Sequence, residues 1–233
     1  MNLSEVEKSD IVPLPSNREM KVEPPPMPEW GMALVRFTVR YLSKLLVGIK
    51  YFGVEHIPQN RPGGLLICAN HQSYFDPFWV CLPVKRQARF MAWDKATRWF
   101  IIGNVIRTLG AFPIRIEGGG NKDAFRISLG WLKSGGTLMV FPEGTRSHTD
   151  GQMSVFKKGA VRIALEAGVP ILPVTIRGAN KVWSQDMKTP RLAKVEIEFH
   201  PLFELPQLPE GKDFRVHAAE ITEQLRQIIA SKL

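Results

Sequence analysis

Short hydrophobic runs, each closed by polar or turn-forming residues, recur along most of this chain. GLLICAN (64–70), ARFMA (88–92), GAFPIRI (110–116), GTLMVFPEG (136–144), PILPVTIRG (170–178) and KVEIEFHPL (194–202) read as strands. Between them, residues 122–133 (KDAFRISLGWLK) and 157–167 (KKGAVRIALEA) repeat their apolar positions with the period of a helix. A final helix is predicted from Phe214 to Lys232, with Val216, Ile221, Leu225, Ile228 and Ile229 at helical spacing. Strands alternating with helices predict an α/β fold, a mostly parallel sheet flanked by helices. No internal repeat is present.

Two segments precede this pattern. Residues 11–28 hold six prolines in eighteen positions, a density that blocks both helix and sheet hydrogen bonding, so residues 1–28 read as a disordered proline-rich tail. Residues 29–53 read as an amphipathic membrane-associating helix. Arg36, Arg40 and Lys44 are spaced four apart and form one stripe, while Leu34, Phe37, Tyr41, Leu45 and Leu46 fall towards the other side. A spanning helix needs roughly 20 apolar residues and does not carry three cations inside them. A helix lying in the bilayer interface, with Trp30 and Tyr41 at headgroup level, fits the pattern. The alternative is a helix packed on its own domain with its cations solvated. Residues 54–233 then form the main domain.

Composition narrows the function classes. The 233 residues carry 31 Lys+Arg against 22 Asp+Glu, a formal net charge of +9, so partners are expected to be anionic. The 44% hydrophobic and 23% charged content is that of a globular chain, not a disordered or collagen-like one. Cys68 and Cys81 cannot build a disulfide scaffold and sit in no metal-ligand spacing, which points to a reducing compartment without structural zinc. Residues 1–10 lack the basic start and apolar core of a secretory signal. Ser231-Lys232-Leu233 matches a peroxisomal address, a three-residue match that chance also produces.

Candidate chemistry lies at two strand ends. Asn70-His71-Gln72-Ser73-Tyr74-Phe75-Asp76-Pro77 follows the strand LLICA directly. In open α/β sheets, ligands bind at the carboxyl ends of the strands. His71 can take a proton near neutrality, and Asp76, five positions on, can fold back to its other ring nitrogen, fix the tautomer and stabilise the imidazolium. Phe141-Pro142-Glu143-Gly144-Thr145-Arg146-Ser147 follows the strand GTLMV. There Gly144 admits a close backbone approach, Arg146 offers a donor fork suited to phosphate, and Glu143 could tether a hydroxyl or orient the basic groups.

Taken together, NHQSYFDP and FPEGTRS resemble the two principal signatures of the glycerolipid acyltransferases, the 1-acylglycerol-3-phosphate O-acyltransferase family. The likeness continues through Phe156-Lys157-Lys158-Gly159-Ala160 and VPILPVTIRG (169–178), covering roughly residues 50–180. The resemblance implies that His71 and Asp76 are the catalytic charge-relay pair, His71 deprotonating an acceptor hydroxyl that attacks an acyl thioester without an acyl-enzyme. It implies that Glu143, Gly144, Thr145 and Arg146 bind the acceptor's phosphate and glycerol part, and that no metal or other cofactor is required. The implied partners are acyl-CoA or acyl carrier protein as donor, a lysophospholipid acceptor and an anionic membrane surface, with no nucleic acid. The implied reaction places the acyl group on the sn-2 hydroxyl of lysophosphatidic acid, giving phosphatidic acid. Such an enzyme would be peripheral or monotopic on the cytoplasmic face.

One departure bears on the acceptor. Counted from Gly110, the family's arginine falls at the seventh position, which here is Ile116, while Arg115 comes one residue early. A one-residue shift on a strand reverses the face. Either a bulge returns Arg115 to the phosphate, or Arg146 with Lys95 or Lys157 carries the charge. Three other readings compete: an acyltransferase acting on glycerol 3-phosphate or another lysolipid, a Ser73-His71-Asp76 hydrolase, and a non-catalytic module for anionic lipid. Ser73 is in no G-x-S-x-G elbow.

Overall fold

The structure, a computed structural model, describes residues 29–86, 88–93, 111–114 and 122–233. It contains helix α1 (Glu29–Val47), strand β1 (Lys50–Phe52), β2 (Leu65–Ala69), helix α2 (Asp76–Cys81), β3 (Ala88–Trp93), β4 (Ala111–Ile114), α3 (Lys122–Lys133), β5 (Thr137–Val140), α4 (Gly159–Ala167), β6 (Ile171–Arg177), α5 (Asn180–Trp183), β7 (Glu196–Phe199) and α6 (Phe214–Ala230). The seven strands form one sheet in the order β1-β7-β6-β2-β5-β3-β4. From β6 to β4 every neighbouring pair is parallel. β7 runs antiparallel to β6 and carries β1 beside it in its own direction. The sheet is thus mostly parallel, with a reversed pair at one edge.

The central strand shows why. Every residue of β2 is buried, as a parallel strand covered on both faces requires. Its alternation sorts the side chains into two cores. Leu65, Ile67 and Ala69 point into one, with Met139, Val174 and Ile176 of the neighbouring strands, Trp79 and Val80 of α2 and Val182 of α5. Leu66 and Cys68 point into the other, against Leu132 of α3, Val161 and Ala164 of α4 and Ile221, Leu225 and Ile229 of α6. Three layers result, helices over each face of the sheet. Gly64 enters β2 so close to α3 that an added Cβ would stand 2.3 Å from the Leu132 carbonyl oxygen.

The helix expected over residues 29–53 is shorter. It stops at Val47, where Gly48 takes the left-handed conformation (φ 52°) and residues 50–52 become the edge strand β1. α1 meets the body along one side: Ser43 and Val47 are buried, and Ser43 Oγ accepts from the Trp79 indole at 2.9 Å. Leu34, Phe37, Tyr41 and Leu45 are 58–67% exposed. The apolar stripe therefore does not pack on the domain. Among the described residues, no helix is long and apolar enough to cross a membrane.

Candidate active site

The parallel neighbours β5, β2 and β6 bring three carboxyl ends to one place. Asn70 fastens two of them, donating to the Ile176 carbonyl at 2.9 Å and accepting the Ile176 N–H at 2.7 Å. Beyond it the chain wraps around one carboxylate. Oδ2 of the fully buried Asp76 accepts the N–H of Gln72 (2.6 Å), the N–H of Ser73 (2.7 Å) and Nδ1 of His71 (2.9 Å). An ionised carboxylate only accepts, so Nδ1 carries the hydrogen and the Nε2 lone pair is free for a substrate. The His71 ring stacks on Phe141, centroids 3.8 Å apart and planes 11° from parallel, which fixes its tilt.

The segment after β5 supplies the rest. Glu143 is buried, and its two oxygens accept the N–H groups of His71 and Ser154, each at 2.7 Å. Burial pushes its carboxyl above the usual range, opposed by those backbone donors. Glu143 thus ties three segments together, and its oxygens are engaged by the protein's own backbone. Gly144 has φ +73°, and an added Cβ would stand 2.6 Å from Lys157 Nζ, so that ammonium lies directly over the turn. Lys157 is held there by its N–H on the Pro142 carbonyl, 2.9 Å. Thr145 Oγ1 donates to Gln185 Oε1 (2.9 Å), and Ser147 N–H donates to the His71 carbonyl (2.7 Å). Arg146 lies with its guanidinium carbon 3.4 Å from the centroid of the Tyr74 ring.

His71, Asp76, Glu143, Gly144, Thr145, Arg146 and Lys157 are therefore drawn together around one set of strand ends. Lys95 and Arg115 lie outside the described residues, as does the one-residue offset after Gly110. Ser73 is fully buried, with Oγ accepting the Phe75 N–H (3.3 Å) and its own N–H on Asp76, so no serine nucleophile faces substrate from this turn. The sequence reading missed Phe141, Tyr74 and Trp183. Phe141 could have been noticed as the aromatic that ends β5, but Trp183 reaches Tyr74 only because β6 returns beside β2.

The arrangement, a histidine–carboxylate pair with Arg146 and Lys157 nearby, could serve as a general base beside two cations. A family model described as "Acyltransferase" matches residues 48–177, more than half of the chain. The chain belongs to the acyltransferase family. Among relatives of this family, the chloroplastic 1-acyl-sn-glycerol-3-phosphate acyltransferase of Brassica napus is 31% identical over 151 residues, 61% of this chain and 43% of that protein. The 1-acyl-sn-glycerol-3-phosphate acyltransferase of Borreliella burgdorferi is 28% identical over 199 residues, 82% of this chain and 75% of that protein. The crystal structure of the 1-acyl-sn-glycerophosphate acyltransferase PlsC of Thermotoga maritima superposes with a TM-score of 0.69 at 26% identity, covering 88% of this chain and 79% of that one. The chain spans about two fifths of the length of the plant acyltransferases it matches.

Proposed function

We propose that this acyltransferase moves a fatty acyl group from a thioester, acyl-CoA or acyl carrier protein, to the sn-2 hydroxyl of lysophosphatidic acid, giving phosphatidic acid. The observation that carries this reading is the His71–Asp76 pair at 2.9 Å, which leaves His71 Nε2 without a hydrogen-bond partner among the described residues. Nε2 takes the proton as the acceptor oxygen attacks the thioester carbonyl. The tetrahedral intermediate then collapses, the C–S bond breaks, and the imidazolium returns its proton to the leaving thiolate. Asp76 stabilises the imidazolium in between.

Arg146 and Lys157 are the described cations that hold the acceptor phosphate in this reading, with the open turn at Gly144-Thr145 admitting the glycerol part. Glu143 acts through the backbone it braces. α1 lies in the membrane surface, its exposed Leu34, Phe37, Tyr41 and Leu45 in lipid and its exposed Arg40 and Lys44 at anionic headgroups. That puts the site where a lysolipid resides.

Product analysis by mass spectrometry tests the reading, with acyl-CoA and acyl carrier protein thioesters offered to lysophosphatidic acid, glycerol 3-phosphate and neutral lysolipids. Phosphatidic acid from the first acceptor supports it. Transfer to glycerol 3-phosphate alone moves the enzyme to another acceptor of the same family, and lipid binding without transfer from either donor overturns the catalytic assignment.

A further inference from the structure

Arg146 is unusual among the charged groups of the site in how it is held. Its neighbours are anchored: Thr145 by Gln185 and Ser147 by the His71 carbonyl. Among the described residues, no carboxylate lies within ion-pair distance of its guanidinium, and Nη1 is buried with no hydrogen-bond partner. What fixes its direction is a ring. The guanidinium lies 3.4 Å over Tyr74, Tyr74 leans on Trp183 with centroids 4.7 Å apart, and Trp183 leans on Phe75 at 5.4 Å. Tyr74 and Phe75 sit inside the turn that joins His71 to Asp76.

We propose that Tyr74 is a positioning residue for the acceptor: its ring aims the Arg146 guanidinium at the phosphate and couples that arginine to the turn bearing the catalytic pair. The proposal rests on Arg146 binding the acceptor's phosphate. An aromatic face attracts a guanidinium yet accepts none of its N–H groups in the way a carboxylate does. Among the described residues no protein acceptor takes the donors, and no anion competes with the ligand. The ring also removes side-chain freedom before the acceptor arrives, so less ordering remains to be done on binding. Since Tyr74 is 46% exposed, truncating it opens no core cavity.

The test compares wild type, Tyr74→Leu, Tyr74→Phe, Arg146→Ala and the double variant Tyr74→Leu/Arg146→Ala. Each is assayed with varied lysophosphatidic acid in mixed micelles, or with glycerol 3-phosphate if that is the acceptor turned over, at saturating thioester. Tyr74→Leu is expected to raise the acceptor KM roughly threefold to thirtyfold, the span of a cation–π contact, with kcat and the donor KM unchanged. Tyr74→Phe keeps the ring and behaves as wild type. In the Arg146→Ala background, Tyr74→Leu changes nothing further.

An acceptor KM that Arg146→Ala raises and Tyr74→Leu leaves alone overturns the proposal while sparing the phosphate assignment. So does a Tyr74→Phe protein as defective as Tyr74→Leu, or a full additional loss in the double variant. An acceptor KM untouched by Arg146→Ala removes the phosphate assignment itself, and this proposal with it.

Discussion

Three donors converge on one oxygen of Asp76, and that single fact determines how its replacement behaves. An asparagine can place its single, uncharged oxygen where Oδ2 sits, but its NH₂ then takes the buried position of Oδ1, which has no hydrogen-bond partner to offer it. Asp76→Asn should therefore loosen the turn as well as release the His71 tautomer, with a loss of turnover on the order of 10²–10⁴-fold. His71→Ala should lose as much while its thermal transition stays in place, because the ring stacks on Phe141 at the surface of the cleft and does not fill the core. Wild-type turnover in a folded His71→Ala protein, measured by single-turnover acyl transfer, would end the mechanism. Glu143→Gln tests a different idea. One of the two N–H groups now on the carboxylate would meet an NH₂, leaving a buried donor unpaired at a cost of about 1–3 kcal/mol. The expected result is a lower midpoint in urea unfolding, together with reduced activity and an acceptor KM that moves little. A large, selective rise in acceptor KM would instead return Glu143 to the ligand.

Helices and strands were legible in the sequence to the extent that they were long enough to show a period. β2, β4, β5, β6 and β7 fall inside the predicted runs, as do α3, α4 and α6, and β3 extends one residue beyond its run, to Trp93. The elements not foreseen, β1, α2 and α5, are three, six and four residues long, too short for alternation or a helical repeat to register. The hydrogen-bond partners of Glu143 were not legible because they are backbone N–H groups, which no residue letter announces. Two expectations belong to this scale. In α1, Phe37→Ser and Leu45→Ser alter side chains that are each 67% exposed, so the unfolding midpoint should hold. Partitioning onto acidic liposomes should weaken by about 1.5–3 kcal/mol for each apolar group removed. Sedimentation of the double variant with liposomes as fully as wild type, at high salt, would dismiss α1 as the apolar anchor. On the opposite face, Thr175 has one hydrogen, which goes to the Ile229 carbonyl of α6 (2.6 Å), so His200 Nε2–H donates to Thr175 (2.7 Å). Burial pushes the His200 pKa below its ordinary 6.5, aided by Lys232, His56 and Arg177 and opposed by Glu198. A depressed histidine stabilises the fold above the unfolded-state value and withdraws that stability as pH falls from about 6.5 towards the folded-state value. His200→Gln keeps a donor for Thr175 but does not titrate, so its stability should fall less steeply with acid over that window, as urea midpoints against pH would record.

Seen as a whole, the molecule keeps its ionisable site residues on one sheet end and its apolar helix face on the outside, so that in the proposed function surface attachment and catalysis would depend on separate residues. What escaped sequence reading was which of these residues touch. His71 and Glu143 are 72 residues apart, and Asn70 and Ile176 are 106 apart, so only the strand order makes them neighbours. The same order governs how the chain emerges during synthesis. β2 is made early and is apolar throughout, yet its two edges are closed by β5 and by β6, and β6 is complete only at Arg177. Until then the nascent chain carries an open parallel strand whose pairing partner does not exist, the kind of edge that recruits other chains. A fragment ending at residue 168 should thus precipitate or bind holdase chaperones when translated in a cell-free system supplied with liposomes, while the full chain folds without aggregating and is recovered with the lipid. Slow codons far enough beyond the β6 segment for it to have left the ribosome would give that strand time to close the sheet; the same codons placed before it would lengthen the exposed interval.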